Sequence, residues 1–472
     1  RMATGARGPL HGIPILLKDN IDTFDQPTTA GSLALQGAVP PDDAFLVSQL
    51  RDAGAIILGK ANLTEFAAFL SPELPNGFSV LGGQTLNPYD PGVLTPLGSS
   101  AGSAAAASAN LAAATVGTET LGSIISPAAV NGVVGIRPTV GLVSRDGVIP
   151  ISTTQDTAGP ITRTVTDAAI MLTALAGIDP SDPATIGSAG RVPNDYTAFL
   201  IPDGLQGKRI GLVRDPNLIA IDPPDEILLE SAIVALESAG ATVVDHLDLS
   251  ANLFELFGMW ENGSTPTGAP AVFAYEFVGA MGSYLESLGP DAPVASLAEL
   301  VDFNVAHPEA IPFGQAEFEA ALATSGDLTN PEYLFQLAEG RRLMGVNGID
   351  QLLSESDLDA LVLPYNWGAL GAVVGYPSIT VPAGINEFNA PFALNFLSTP
   401  FTEPELFEIA YAFEQAIGPR APPSSTPAIP GDVIPEPNAA MLATFGILVL
   451  FSYRRRCPWP SYLQRATGDT DL

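Results

Sequence analysis

Short apolar runs bounded by glycine, proline or charge recur along the chain and alternate with longer segments of mixed character. Ile13-Pro-Ile-Leu-Leu17, Ala55-Ile-Ile-Leu-Gly59, Val133-Val-Gly-Ile136, Arg209-Ile-Gly-Leu-Val213, Ala241-Thr-Val-Val244 and Ala360-Leu-Val-Leu-Pro364 are only four or five residues long. That length suits strands covered on both faces better than buried helices. Helical stretches, among them Ala101 to Ala114 and Glu226 to Ala239, lie between such runs. The alternation predicts an α/β fold, with a mixed, largely parallel sheet covered by helices on both faces. At 472 residues and 46% hydrophobic content the chain can bury a full core of this kind, and no internal repeat divides it.

Charge narrows the partners. The net charge is −32, which repels nucleic acid, so no nucleic-acid partner is expected. Cys457 is the single cysteine, which rules out a disulfide within the chain. There is no His-x-x-x-His pair and no calcium-loop pattern, so neither a metal nor a cofactor is expected.

Candidate chemistry lies in two glycine-rich turns, Gly98-Ser-Ser-Ala-Gly-Ser103 and Gly117-Thr-Glu-Thr-Leu-Gly-Ser123. Turns of this kind expose hydroxyls and backbone N–H groups together, as a hydrolase needs for a nucleophile and for the oxyanion that develops on an attacked carbonyl. Gly117 to Ser123 lacks the Gly-Lys-[Ser/Thr] of a phosphate loop. The base is either a histidine brought in by the fold or a lysine. His11, His246 and His307 are the only histidines, and none is beside either turn in sequence. Of 19 basic residues only Lys18, Lys60 and Lys208 are lysines. A desolvated lysine can become a neutral base, whereas an arginine cannot. Lys18 follows the first apolar run, so its amine emerges at a strand end in a partly dry site. Asp156 and Arg163 are expected to pair or hydrogen-bond in the scaffold. Lys60 and Glu65 are expected to anchor a strand–helix corner, and His11 to be structural.

These residues resemble the amidase signature family. The likeness runs through Gly8-Pro-Leu-His-Gly-Ile-Pro-Ile-Leu-Leu-Lys-Asp-Asn20, Gly59-Lys-Ala-Asn-Leu-Thr-Glu-Phe66, both serine turns, Gly132-Val-Val-Gly-Ile-Arg-Pro138, Gln155-Asp-Thr-Ala-Gly-Pro160 and Gly375-Tyr-Pro-Ser-Ile-Thr-Val-Pro-Ala-Gly384. It marks residues 1–418 as one domain, expected to be N-terminally incomplete because family members carry a helical segment ahead of the lysine motif. The resemblance implies a Ser-cisSer-Lys triad: Ser123 as nucleophile, Ser99 as bridging serine after a cis Gly98–Ser99 peptide, and Lys18 as base. It also implies an oxyanion hole built from the N–H groups of Thr120, Leu121, Gly122 and Ser123. Leu121 stands where the common form has glycine, and Glu119 where it has aspartate. Similarity to the peptide amidase-like branch makes peptide C-terminal amides one expected substrate among small-molecule and peptide amides. Two alternatives stay open: a catalytically silent amide- or peptide-binding envelope protein, and an amidotransferase A-subunit-like protein. Residues 253 to 343 match the family least. Their Trp260, Phe273, Tyr275, Glu276, Phe277 and Tyr284 either wall the pocket or pack helices together.

The C-terminal part has a different composition. A Pro/Ser-rich linker, residues 419–432, precedes Val433-Ile-Pro-Glu-Pro437, an uncharged run over 438–453 and Arg454-Arg-Arg456. This pattern is similar to the PEP-CTERM sorting signal of exported bacterial proteins. It implies a hydrophobic membrane helix over 438–453, arginines on the cytoplasmic side, and processing by an exosortase-type enzyme. A cell-envelope or extracellular location follows as an expectation, with 457–472 as a tail.

Overall fold

The computed structural model describes residues 8–214, 221–261, 267, 269–290, 292–365 and 367–424. They all lie in the first of two units into which the chain divides, residues 1–426 and 427–472. The described strands are β1 (Pro14–Lys18), β2 (Ile56–Ala61), β3 (Phe78–Ser79), β4 (Gly83–Gln84), β5 (Ala114–Glu119), β6 (Val134–Arg137), β7 (Thr157–Thr162), β8 (Arg209–Val213), β9 (Thr242–Leu247), β10 (Ala360–Pro364), β11 (Ser378–Ile385) and β12 (Pro391–Leu397). Ten of them form one sheet in the order β2-β1-β5-β7-β6-β11-β12-β10-β8-β9, and β3 pairs with β4 alone. The sheet is mixed in a particular way. Its parallel pairs lie at the two ends, β2-β1-β5 and β10-β8-β9. The centre, from β5 across to β10, is antiparallel.

Helices cover both faces. They are α1 (Phe45–Asp52), α2 (Ala101–Ser108), α3 (Ile125–Val130), α4 (Val165–Leu175), α5 (Pro223–Ser238), α6 (Ser250–Glu261), α7 (Ala271–Ser287), α8 (Leu297–Ala306), α9 (Ala316–Ala323), α10 (Pro331–Gly340), α11 (Asp350–Glu355) and α12 (Glu403–Ile417). Side-chain alternation along β7 shows the two layers: Ala158 packs in the core under α1, α4, α5 and α12, whereas Ile161 packs with α2 and α3. The expected strands form with small shifts in their ends. The helix expected over Ala101 to Ala114 stops at Ser108, and Ala114 instead opens β5. The alanine-rich sequence favours helix throughout, but Asn110 turns the chain at φ +60° and Ala114 pairs with Ile15 of β1. Sheet pairing outweighs local propensity at this point.

Helices α7 to α10 build a second core over the sheet domain. Phe277 stacks on Phe318 at a ring distance of 5.0 Å and meets Phe69 edge-on at 4.9 Å. The two readings of this region divide by residue: Phe273 and Phe277 pack helices, whereas Tyr284 lines a cavity that also touches β5. Among the described residues no helix is long and apolar enough to cross a membrane. The expected hydrophobic helix at 438–453, its Pro-Glu-Pro and arginine flanks, the linker beyond 424 and the tail at 457–472 lie outside the described residues.

Candidate active site

Lys18 is the last residue of β1, paired on one side with Ala61 of β2 and close to β5 on the other. Parallel strands on both sides and helices on both faces leave its side chain no exposure. Its Nζ bonds to Ser99 Oγ at 2.7 Å, Thr118 Oγ1 at 2.9 Å and Thr118 O at 3.1 Å. Burial pulls the Lys18 pKa from the ordinary 10.5 down to about 7, against the opposing pull of the negative charges on Glu119 and Asp156. Near neutral pH this amine is therefore divided between its charged and neutral forms.

The two serine turns are held against each other. The Gly98–Ser99 peptide is cis. A Cβ at Gly98 would lie 2.3 Å from Thr64 Oγ1, so only glycine fits there. Ser100 N–H donates to Ser123 O at 3.2 Å, and Ser100 Oγ donates to Thr118 O at 3.1 Å. Ser99 is fully buried, while Ser123 retains 8% exposure. Lys18 and Ser99 are directly bonded; among the described residues no hydrogen bond joins Ser99 Oγ to Ser123 Oγ.

The turn from Thr120 to Ser123 is braced at both ends. Glu119 Oε2 accepts the Ile124 and Ile125 N–H groups at 2.7 and 3.0 Å. Its other oxygen faces Arg137 Nη1 at 3.5 Å, with both side chains wholly buried. Arg137 also donates to Glu119 O at 3.0 Å. Thr120 Oγ1 donates to Asp156 Oδ1 at 2.6 Å, and Asp156 Oδ2 accepts Ile151 N–H and Ser152 N–H at 2.8 and 2.9 Å. Gly122 has φ +83°, a left-handed conformation that favours glycine. Among the described residues the N–H groups of Leu121, Gly122 and Ser123 meet no protein acceptor. The half-buried Leu121 side chain packs against the hydrophobic clusters of both α7–α10 and the α6 region. A cavity of about 320 Å³ is lined by Asn20, Thr118, Thr120, Ile151, Asp156 and Tyr284, among others.

The geometry decides among the expected partners. Asp156 and Arg163 do not pair with each other but each hydrogen-bonds in the scaffold, the other form of the expectation: Asp156 as above, and Arg163 through Nη1 to Ala107 O, near the end of α2, at 3.4 Å and to Ala112 O at 2.7 Å. Lys60 does not meet Glu65. It donates to Ile21 O and Thr28 Oγ1, whereas Glu65 accepts Val80 N–H at 2.8 Å. None of the three histidines hydrogen-bonds to Ser99 or Ser123; His307 stacks on Phe303 and His246 is exposed beside Asp245. Sequence reasoning missed Thr118 and Asn20, whose Nδ2 donates to Thr118 Oγ1 at 3.0 Å. The position of Asn20 two residues after Lys18 is a usable signal; that of Thr118 emerges only from the register of β1 on β5. Among the described residues no group of His, Cys, Asp and Glu could hold a metal ion.

Comparison with known proteins gives the family. Residues 1–272 match the family described as Amidase. A probable amidase of Arabidopsis thaliana is 43% identical over 422 residues, covering 88% of this chain and 78% of the relative. The crystal structure of native peptide amidase from Stenotrophomonas maltophilia is 48% identical with a TM-score of 0.80, over 88% of this chain and 85% of that chain. One polypeptide of the glutamyl-tRNA(Gln) amidotransferase of Cyanothece sp. is 34% identical over 445 residues, 88% of this chain and 86% of that protein. With more than half of its length matched to the family, and with these relatives, the chain belongs to the amidase signature family.

Proposed function

We propose that the protein is a serine amidohydrolase that cleaves a linear carboxylic or peptide amide through an acyl-enzyme on Ser123. The buried Lys18 amine, 2.7 Å from Ser99 Oγ and with a pKa near neutrality, is the observation that carries this reading. Neutral Lys18 takes the proton of Ser99 as Ser99 takes that of Ser123, whose Oγ then attacks the amide carbonyl. The carbonyl oxygen becomes an oxyanion that accepts the unpaired N–H groups of the Thr120–Ser123 turn. Collapse breaks the carbon–nitrogen bond, and the relayed proton leaves with the amine. Water, deprotonated along the same relay, hydrolyses the ester on Ser123, releases the acid and restores both serines.

Likeness to a peptide amidase supports peptide C-terminal amides as the first substrate class to test. The experiment incubates the full chain with a panel of dipeptide amides and measures ammonia and free peptide acid. Turnover that disappears in Ser123→Ala supports the proposal. A folded chain that binds the amides without turnover supports the silent-binding alternative, and activity confined to glutamine supports the amidotransferase-like alternative.

A further inference from the structure

We infer that Glu276, in the middle of α7, is a positioning residue for the amide hydrolysis proposed above, acting through the loop 151–156 on the turn that carries Ser123. The inference rests on that function and adds a residue from the part of the chain least like the family motifs.

Glu276 is 2% exposed, and its carboxylate is filled with donors. Oε2 accepts Ser152 Oγ at 2.5 Å, Thr154 N–H at 3.1 Å and Thr154 Oγ1 at 3.2 Å. Oε1 accepts Tyr333 O–H, from α10, at 2.8 Å. Four donors converge on this one carboxyl group, and they hold one short loop against the helical layer. Asp156, at the end of the same loop, closes it by accepting Ile151 N–H and Ser152 N–H, and its second oxygen accepts Thr120 O–H. The result is a continuous chain of contacts, Tyr333 to Glu276 to Ser152 to Asp156 to Thr120, ending at the first residue of the proposed oxyanion turn. Helix α7 does not depend on Glu276 for its packing, because Phe273 and Phe277 seat it against Phe69 and Phe318. Its carboxylate instead sets where the loop lies. Displacement of a catalytic group by about 1 Å from a distance can lower rate about a hundredfold.

The test measures kcat and KM separately for the full chain, Glu276→Gln, Thr120→Val and the double variant on one peptide amide, with melting temperature and probe labelling of Ser123 alongside. Glu276→Gln is expected to lower kcat about 10- to 100-fold with KM within about twofold. It should add little to Thr120→Val, because both act on one path. Glu276→Asp, with its carboxylate kept, should recover part of kcat. Wild-type kcat in folded Glu276→Gln would overturn the inference, as would losses that multiply in the double variant. A loss carried wholly by KM would also overturn it and would reduce Glu276 to a support for the cavity wall, since Ile149 to Thr153 line that cavity. An active, labelled wild type with an unaffected Glu276→Gln sinks the positioning role alone; an inactive, unlabelled wild type sinks the function and this role together.

Discussion

In the proposed mechanism, the pH dependence of turnover follows from how deeply Lys18 is buried. An ordinary lysine at its usual pKa of 10.5 is neutral in only about one molecule in 3,000 at pH 7. With its pKa drawn down to about 7, Lys18 is neutral in about half. Burial thus supplies on the order of a thousandfold more of the neutral amine at neutral pH. In free energy, protonating Lys18 in the folded chain is about 5 kcal/mol harder than in water, at 1.36 kcal/mol per pKa unit. kcat/KM for a peptide amide, measured from pH 5 to 10, should rise tenfold per pH unit on the acid side and level off with an apparent pKa of about 7. A limb that continues to rise towards pH 10, or a flat profile between pH 5 and 9, would refute the assignment of Lys18 as the base. The same shift has a consequence for stability. The folded-state pKa lies below the unfolded one, so between pH 7 and 10.5 the unfolded chain binds more protons and the contribution of Lys18 to stability rises with pH.

Lys18→Met, inactive by design, should therefore compare best with wild type below pH 7. In urea titrations the difference should move in favour of wild type by about 2 kcal/mol between pH 7 and 9, and a pH-independent difference would contradict the shift. Arg137→Met removes the buried guanidinium that faces Glu119, and the unfolding free energy should fall by about 3–5 kcal/mol; a loss below about 1 kcal/mol would show that the Ile124 and Ile125 N–H groups suffice. Gly98→Ala places a methyl against Thr64 Oγ1, and a destabilisation of about 1–3 kcal/mol or more, with turnover lost, is expected in thermal and kinetic assays. An active and equally stable Gly98→Ala would mean that the turn is looser than this close approach implies.

Much of the sheet and of the site is legible from local pattern. Continuous apolar runs mark strands covered on both faces, and a lysine placed after one such run points to a desolvated amine. What escapes is decided by register and by distant partners. Thr118 meets Lys18 because β1 lies beside β5, a fact that no spacing within either strand contains. Arg163 is held by the carbonyls of Ala107 and Ala112 and Asp156 by Thr120 and two backbone N–H groups, partners that sequence adjacency does not show. The helix over the alanine-rich run ends early because strand pairing at Ala114 outweighs a propensity that continues past it. Glu276 reads in sequence as one more acidic residue among aromatics; only the fold brings Ser152, Thr154 and Tyr333 onto it.

The central claim, a covalent mechanism on Ser123 driven by Lys18 through Ser99, is tested most directly by mass spectrometry of the protein after treatment with a fluorophosphonate probe, with Ser123→Ala and Lys18→Ala in parallel. One adduct on the peptide containing Ser123, absent in the first variant and sharply reduced in the second, is the expected result. A folded wild type that takes up no probe, or one labelled at another serine with equal efficiency in Lys18→Ala, would contradict it.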